Sequence, residues 1–426
     1  MGQLSMGTDT FVEHLAADAA FRFAEAERMF TPALVIDRDR VQHNIQTTLR
    51  LLGGDANRWR HHVKTAKLGY VMRMLVEAGV QQFKCATSLE LSVACEAGAR
   101  DVLVAYPLVG ANAARVRQIA EHHPGVLVSV LVENEAQLVQ WKTGQWKGTP
   151  VGIFIDVNPG MNRTGVPDDR GDAILRLAQS IVSSGSGFRG LHYYDGHLSK
   201  FGIEERCKQA HAGYERLMQI VDSLAGHRFE PRGLPVPEVI TAGTPAFPCS
   251  LSFPGFKVER LQLPRSKGGP FLHRVSPGTV VYCDTTSLAQ LAPKPGEMGS
   301  QLAPDLGYQP AAVVMTRVVS HPAAGLITCD AGHKTVSADA GVPTCAVVGH
   351  PELEPLAPSE EHLPMRVNSP HVSGNEAPAI GELLFLIPRH VCPTVNNFDE
   401  ALIVSGGKLI GIEPVSARGR ERQDFR

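Results

Sequence analysis

Apolar positions along the chain change texture once. From His61 to Val275, short runs of strand character alternate with longer stretches whose apolar residues recur at helical spacing. The strand-like runs are His61-His62-Val63-Lys64, Phe83-Lys84-Cys85-Ala86, Val102 to Tyr106, Val126 to Val132, Val151 to Val157, Arg189 to Tyr194, Glu238 to Thr241 and Leu272 to Val275. Helical spacing marks Tyr70 to Ala78, Leu89 to Ala97, Ala111 to Glu121, Ala173 to Val182 and Glu204 to Ala225. Eight strands with helices between them predict a closed parallel barrel. After Pro277-Gly278 come short strands broken by Gly and Pro clusters with no long helical pattern, which predicts a second, mostly β domain. The fold class is therefore α/β: a (β/α)8 barrel followed by a C-terminal, mostly β domain.

Composition narrows the function. The 426 residues are enough for two domains with sizeable cores, and a formal net charge of -2 leaves no electrostatic footprint for nucleic acid or an anionic membrane, so small molecules are the expected partners. The eight cysteines form no CxxC pair, and they read as reduced thiols of a cytoplasmic protein. Asp9, Glu13 and Asp18 interrupt the N-terminal apolar residues, and neither a signal peptide nor a membrane-spanning run is expected.

Candidate chemistry gathers at the C-terminal ends of the predicted strands, where barrels carry their active sites. Lys64 ends the first strand; in the barrel mouth, desolvation would make it a usable amine nucleophile, whereas on the outside it would be a solvated lysine. Asn158-Pro159-Gly160-Met161-Asn162-Arg163-Thr164-Gly165 is a tight loop whose arginine either tunes a heteroaromatic cofactor or braces the loop. The sixth strand ends in His192-Tyr193-Tyr194-Asp195-Gly196-His197, a set on which a planar cofactor could stack. Thr241-Ala242-Gly243-Thr244-Pro245 and Ser276-Pro277-Gly278-Thr279 follow strands seven and eight, a common phosphate position in barrels. Far downstream, His390 and Cys392 lie two residues apart after an apolar run. On an extended segment they would point to one side and could ligate a divalent ion, leaving open positions; otherwise they simply end a strand.

Taken together, Thr31-Pro32-Ala33-Leu34-Val35-Ile36-Asp37, His62-Val63-Lys64-Thr65, the Arg163 loop, Gly243-Thr244, Pro277-Gly278 and His390-Val391-Cys392-Pro393 follow one order. That order resembles the D-serine dehydratase and D-threonine aldolase group of the fold-type III, alanine-racemase-like pyridoxal phosphate enzymes. The resemblance implies an N-terminal extension over 1–30, a strand over 31–45 joining the β domain, a cofactor-binding barrel over 46–278 and a metal-carrying β domain over 279–426, in a homodimer. It implies that Lys64 forms the Schiff base and that His62, Arg163, His192 and Tyr194 surround the cofactor. Gly243, Thr244, Gly278 and Tyr282 would hold its phosphate, and His390 and Cys392 would ligate a divalent metal. A cysteine ligand favours zinc over magnesium or manganese.

The implied substrate is a D-3-hydroxy amino acid. In this family the cysteine form of the metal motif resembles the dehydratases, so a D-serine dehydratase giving a keto acid and ammonia is expected, with a D-threonine aldolase-type retro-aldol lyase as the alternative. Two positions depart from the family pattern: Ala66 stands where a histidine is common, and Gly374-Asn375-Glu376 stands where an acidic-His-Gly stretch is usual. Asp330-Ala331-Gly332 resembles a further family motif, without implying a role for these residues. A racemase would share the barrel and the lysine, but its Gly-Tyr-Ala-Asp-Gly stretch is missing, Cys329 preceding Asp330. A noncatalytic pyridoxal phosphate-binding protein of this fold would lack the C-terminal β domain.

Overall fold

The computed structural model describes residues 21–141, 151–226, 233–257, 271–291, 306–368 and 377–422. The first twenty residues of the N-terminal extension, Gly374-Asn375-Glu376 and the end of the Pro351 to Pro370 stretch lie outside the described residues. The chain forms two compact units. A strand unit comprises Met1–Thr48, Thr65–Val71 and Thr279–Gly419, and a barrel unit comprises Leu49–Lys64, Met72–Gly278 and Arg420–Arg426.

In the strand unit, β1 (Ala33–Asp37) runs parallel to a later strand and antiparallel to another, both described below. The predicted strand over 31–45 is shorter in the structure. It stops at Asp37, whose carboxylate accepts the N–H of Arg40 at 3.0 Å, and the helix Arg38–Leu51 begins there. An aspartate that caps a helix in this way ends the strand before it, whatever the apolar spacing beyond.

The barrel unit is built from β2 (Arg60–His62), β3 (Gln82–Cys85), β4 (Asp101–Pro107), β5 (Leu127–Val132), β6 (Gly152–Asn158), β7 (Val166–Pro167), β8 (Gly187–Tyr193), β9 (Glu238–Thr241) and β10 (Leu272–Val275). Eight of these pair in parallel in the order β10-β9-β8-β6-β5-β4-β3-β2, and the two-residue β7 adds to β6. A bridge between Trp59 and Val275 closes the ring, and the Trp59 indole N–H donates to the carbonyl of Pro277 at 3.0 Å. The predicted strands and helices appear within one or two residues of their expected limits, for example Ser88–Glu96 and Ile203–Gly226. The one-turn helix Glu135–Leu138 is too short for its apolar spacing to be read.

Side chains fill the barrel in layers, as the alternation of strand positions requires. At its floor the Arg60 guanidinium, fully buried, is held by Asp101 (3.0 and 2.8 Å) and by Glu238 (2.9 and 3.0 Å), and Arg189 and Arg274 join the same carboxylates. Burial pushes the Asp101 carboxyl up, but the Arg60 charge and hydrogen bonds outweigh it and hold the group at about 2. Above lie Leu103, Leu131, Phe154 and Ile240. Gly190, at φ +132°, is obligatory in this packing, since a Cβ there would collide with the Glu238 carbonyl oxygen.

Cys207 and Cys249 are joined by a disulfide, which corrects the expectation that all eight cysteines are free. The helices Ile203–Gly226 and Phe247–Ser252 pack together and bring the two Cα atoms within 4.7 Å, inside the range a disulfide spans. The cysteines at 85, 95, 283, 329, 345 and 392 are free.

The remaining strands are β11 (Ala312–Ala323), β12 (Leu326–Cys329), β13 (Cys345–Val347), β14 (Leu353–Pro355), β15 (Leu363–Val367), β16 (Leu383–Pro388), β17 (Glu400–Ser405) and β18 (Lys408–Pro414). They form a sheet ordered β14-β15-β12-β11-β1-β17-β18, with β16 paired to β11 and β13. The long β11 feeds two cores by period-two alternation. Val314 and Val318 join Ile327, Leu363 and Leu386, while Val313 and Met315 join Val35, Phe385 and Leu402. Among the described residues no helix is long and apolar enough to cross a membrane.

Candidate active site

Within the barrel unit, the strand ends converge on a polar layer. Lys64 follows β2, half-buried, with its backbone N–H 3.4 Å from His62 Nδ1. Burial, then the neighbouring Lys84 charge, lowers the proton affinity of His62 well below that of a free imidazole. From β8, His192 turns Nδ1 to the Asp156 carboxylate of β6 at 2.8 Å, and the other Asp156 oxygen accepts the Thr164 hydroxyl at 2.7 Å. Burial lowers the His192 pKa against the opposing pull of Asp156. A neutral imidazole with its orientation fixed by a carboxylate is suited to lie under an aromatic ring.

The Arg163 loop is held by Asn158, whose side-chain oxygen accepts the N–H groups of Gly160 and Asn162, each at 3.0 Å. Arg163 is exposed, and its guanidinium lies 5.0 Å from the centre of the Tyr194 ring. Tyr193 does not share that site. Its ring packs 5.8 Å from Tyr214 on the helix side of the barrel, because successive strand residues face opposite ways.

Small residues follow β9 and β10. A Cβ at Gly243 would meet the Tyr194 ring at 2.8 Å, and one at Gly278 would lie 2.5 Å from the His62 carbonyl oxygen. The Gly243 N–H is engaged by Asp195, a buried carboxyl raised to about 6 by desolvation and bonded by the Tyr214 hydroxyl at 2.5 Å. Thr244 is buried beside it. Close backbone approach at these two glycines, beside the His62 and Tyr194 residues, is the kind of wall that a flat, phosphorylated ring fits. Tyr282 belongs to the strand unit, fully buried, and donates its hydroxyl to the carbonyl of Ala66 at 2.9 Å. Its one proton is therefore committed to the backbone.

In the strand unit, His390 and Cys392 are not on an extended segment. β16 stops at Pro388, His390 occupies the N-cap position, and Val391–Asn396 is a helix, so Cys392 lies in the first turn. The apolar pattern does not reveal this because Asp284, distant in sequence, accepts the Val391 N–H at 2.9 Å and fixes the helix start. The imidazole and thiol nevertheless meet: the contact with Cys392, aided by the Asp339 carboxylate, outweighs burial and raises the His390 pKa to about 9. His390 Nδ1 lies 2.7 Å from Asp339 Oδ2, and Cys392 Sγ lies 3.1 Å from the Thr65 hydroxyl. Among the described residues no three His, Cys, Asp or Glu side chains cluster to hold a metal, so this pair offers two protein ligands and a carboxylate that orients one of them. Such a donor set fits a borderline-soft cation with open positions.

Residues 36–246 match the model of the alanine racemase N-terminal domain, and residues 311–404 match that of the putative serine dehydratase domain. The chain belongs to the D-serine dehydratase and D-threonine aldolase-like family. A D-threonine aldolase from Arthrobacter sp is 26% identical over 406 residues, covering 93% of this chain and 94% of that one. The solved D-threonine aldolase from Filomicrobium marinum superposes with a TM-score of 0.76 at 24% identity, over 92% of this chain and 96% of that one. D-threo-3-hydroxyaspartate dehydratase from Delftia sp. HT23 gives 0.73 at 19%, over 93% and 99%. That dehydratase has been solved with a histidine replaced by alanine and with a cysteine two positions later replaced by alanine, the second in a metal-free form.

Members of this fold-type III family depend on pyridoxal phosphate, and the related aldolases and dehydratases are lyases that use a divalent metal. Sequence reasoning overlooked Lys84, Asp156, Asp284 and Asp339. Lys84 and Asp156 were detectable, since each is a charge inside an otherwise apolar strand run. Asp284 and Asp339 act over 107 and 51 residues of sequence, a separation that leaves no local signal.

Proposed function

We propose that this chain is a pyridoxal phosphate- and metal-dependent lyase that dehydrates a D-3-hydroxy amino acid, D-serine being the simplest, to a keto acid and ammonia. The observation that carries the reading is the His390 and Cys392 pair with Asp339 behind the imidazole. The histidine and the cysteine replaced in the solved dehydratase mutants stand at the same His-x-Cys spacing. Bound pyridoxal phosphate supplies an electron sink for charge at the substrate α-carbon, and a bound divalent metal supplies a Lewis acid for the β-hydroxyl.

This chain's residues do the rest. The Lys64 amine anchors the cofactor and, when free, takes the α proton. His192, fixed by Asp156, supports the ring without bringing charge, and Arg163 and Tyr194 form its flank. Gly243, Thr244 and Gly278 are the residues that would receive the phosphate, the two glycines standing where a Cβ would run into Tyr194 and His62. His390 and Cys392 hold the metal, zinc by preference because thiolate is a soft ligand.

Retro-aldol cleavage is the second reading, favoured by the aldolase relative that matches nearly the full chain. One substrate separates the two. D-threonine should give 2-oxobutyrate and ammonia in excess of acetaldehyde and glycine, with L-threonine a poor substrate. Acetaldehyde in excess would establish the aldolase, and racemisation of alanine with neither product would point to a racemase.

A further inference from the structure

Arg206 is a buried arginine that takes no part in the barrel floor. It stands in the first turn of the helix Ile203–Gly226, and only 3% of it is exposed. Its guanidinium spans two loops at the C-terminal rim of the barrel. One terminal nitrogen donates to the carbonyl of Phe201 at 2.8 Å, just past the turn Gly196–Lys200 that follows β8. The other donates to the carbonyl of Pro245 at 2.8 Å, in the loop after β9. Pro245 directly follows Gly243-Thr244, so this bond fixes the far side of the segment that would receive the phosphate. Gly243 closes the same segment, its carbonyl accepting the N–H groups of Ala246 and Phe247 at 3.1 and 3.0 Å. Bridging two carbonyls needs no charge. Burying a guanidinium to do it is costly, and the cost is offset where an anion comes within reach.

Resting on the reading that Gly243 and Thr244 receive the cofactor phosphate, we propose that Arg206 is a positioning residue for that phosphate: from behind the loop it holds Gly243-Thr244-Pro245 in shape, and its fixed positive charge favours a dianion there. The planar fork suits the first task, since two N–H groups reach two carbonyls at once. The second task needs no contact, because a charge in a water-poor site acts at a distance. Asp195 gives that charge a purpose. Its carboxyl engages the Gly243 N–H, and the nearby Arg206 charge offsets the repulsion it would exert on a phosphate. The rest of the frame does not depend on Arg206. Cys207, the next residue, is joined to Cys249, and one turn further on His211 Nε2 lies 2.9 Å from the Cys249 carbonyl oxygen. The helix Phe247–Ser252 therefore stays tied to Ile203–Gly226 when the Arg206 side chain is replaced, and the loss falls on the loop.

The test compares pyridoxal phosphate with pyridoxal, which lacks only the phosphate. Cofactor-free protein is titrated with each aldehyde, and binding is followed by the visible band. The wild type should bind pyridoxal phosphate far more tightly than pyridoxal. Arg206→Met should weaken pyridoxal phosphate by on the order of tenfold, as loss of a charged hydrogen bond does, and leave pyridoxal unchanged. Arg206→Lys keeps the charge without the fork and should fall between, and it carries the same comparison if Arg206→Met does not fold. Inorganic phosphate should compete with pyridoxal phosphate less well in either variant than in the wild type. Melting temperatures are measured for all three proteins. Equal losses for the two aldehydes would show that Arg206 only supports the fold, and an unchanged affinity for pyridoxal phosphate would show that the loop keeps its shape alone; either result overturns the proposal. A wild type that binds both aldehydes equally well would remove the phosphate reading of Gly243 and Thr244, and the proposal with it.

Discussion

The hydroxyl of Thr65 lies 3.1 Å from the sulfur of Cys392, although 327 residues separate them. Thr65 is the next residue after Lys64, so the backbone that carries the proposed cofactor lysine also presents a hydroxyl to one of the two proposed metal ligands. Cys392→Ala should purify with little metal, Thr65→Val with less than wild type, and Thr65→Ser near the wild-type level, all by elemental analysis. In chelated wild type, zinc should restore turnover better than magnesium. Full activity after exhaustive chelation would return His390 and Cys392 to a structural role.

Asp339 should matter to the metal without being a ligand. Its carboxylate holds His390 Nδ1 at 2.7 Å and thereby orients the ring. Asp339→Asn should weaken metal affinity by roughly 10–100-fold, as loss of such orienting carboxylates does elsewhere. A competition assay with a chromophoric chelator measures this, and equal affinities would show that the ring is fixed by other means.

Lys64→Ala should lose the visible absorbance of bound pyridoxal phosphate together with all turnover. Borohydride reduction followed by peptide mapping should place the trapped cofactor on Lys64 in the wild type. Trapping on Lys84 instead would assign the anchoring role to that residue.

The barrel floor sets an acid limit on stability. Asp101 ionises at about 2 in the fold, against an ordinary 3.8, because the Arg60 pairing outweighs burial. The sign follows from the depressed value: the contribution is fully present above about pH 4 and is lost as pH falls from there towards 2. A shift of this size is worth about 2 kcal/mol. Urea midpoints should therefore decline over this interval in the wild type. Asp101→Asn should be weaker at neutral pH by roughly 3–5 kcal/mol, having left Arg60, Arg189 and Arg274 to share Glu238, and flatter across the acid range. Parallel slopes would locate the acid sensitivity in another group.

The fold was legible because alternation and helical spacing are local signals: β9 and β10 begin and end where the apolar pattern does. Candidate site residues stood out where a residue type is unusual for its place, as with Lys64 at a strand end or a thiol two residues from an imidazole. What could not be read was set by distant contacts. The Asp284 carboxylate turns His390-Val391-Cys392 from extended chain into a helix start, and the Asp37 cap cuts a strand short. Nothing in the spacing of the cysteines indicated that Cys207 and Cys249 would meet; the packing of two helices brings them together.

The closure of the barrel through Trp59, Arg60 and Glu238 fixes when this protein can fold as it is made. Arg60 meets Glu238 178 residues later, and Trp59 donates to a carbonyl 218 residues later. At roughly 5–20 residues per second, β2 leaves the ribosome on the order of ten to forty seconds before its partners exist. During that interval the Arg60 guanidinium has only Asp101, 41 residues on, for a carboxylate partner, and half of its buried shell is missing. The ring can shut only after β10 is synthesised, so any chain released before Val275 keeps an open seam beside β2.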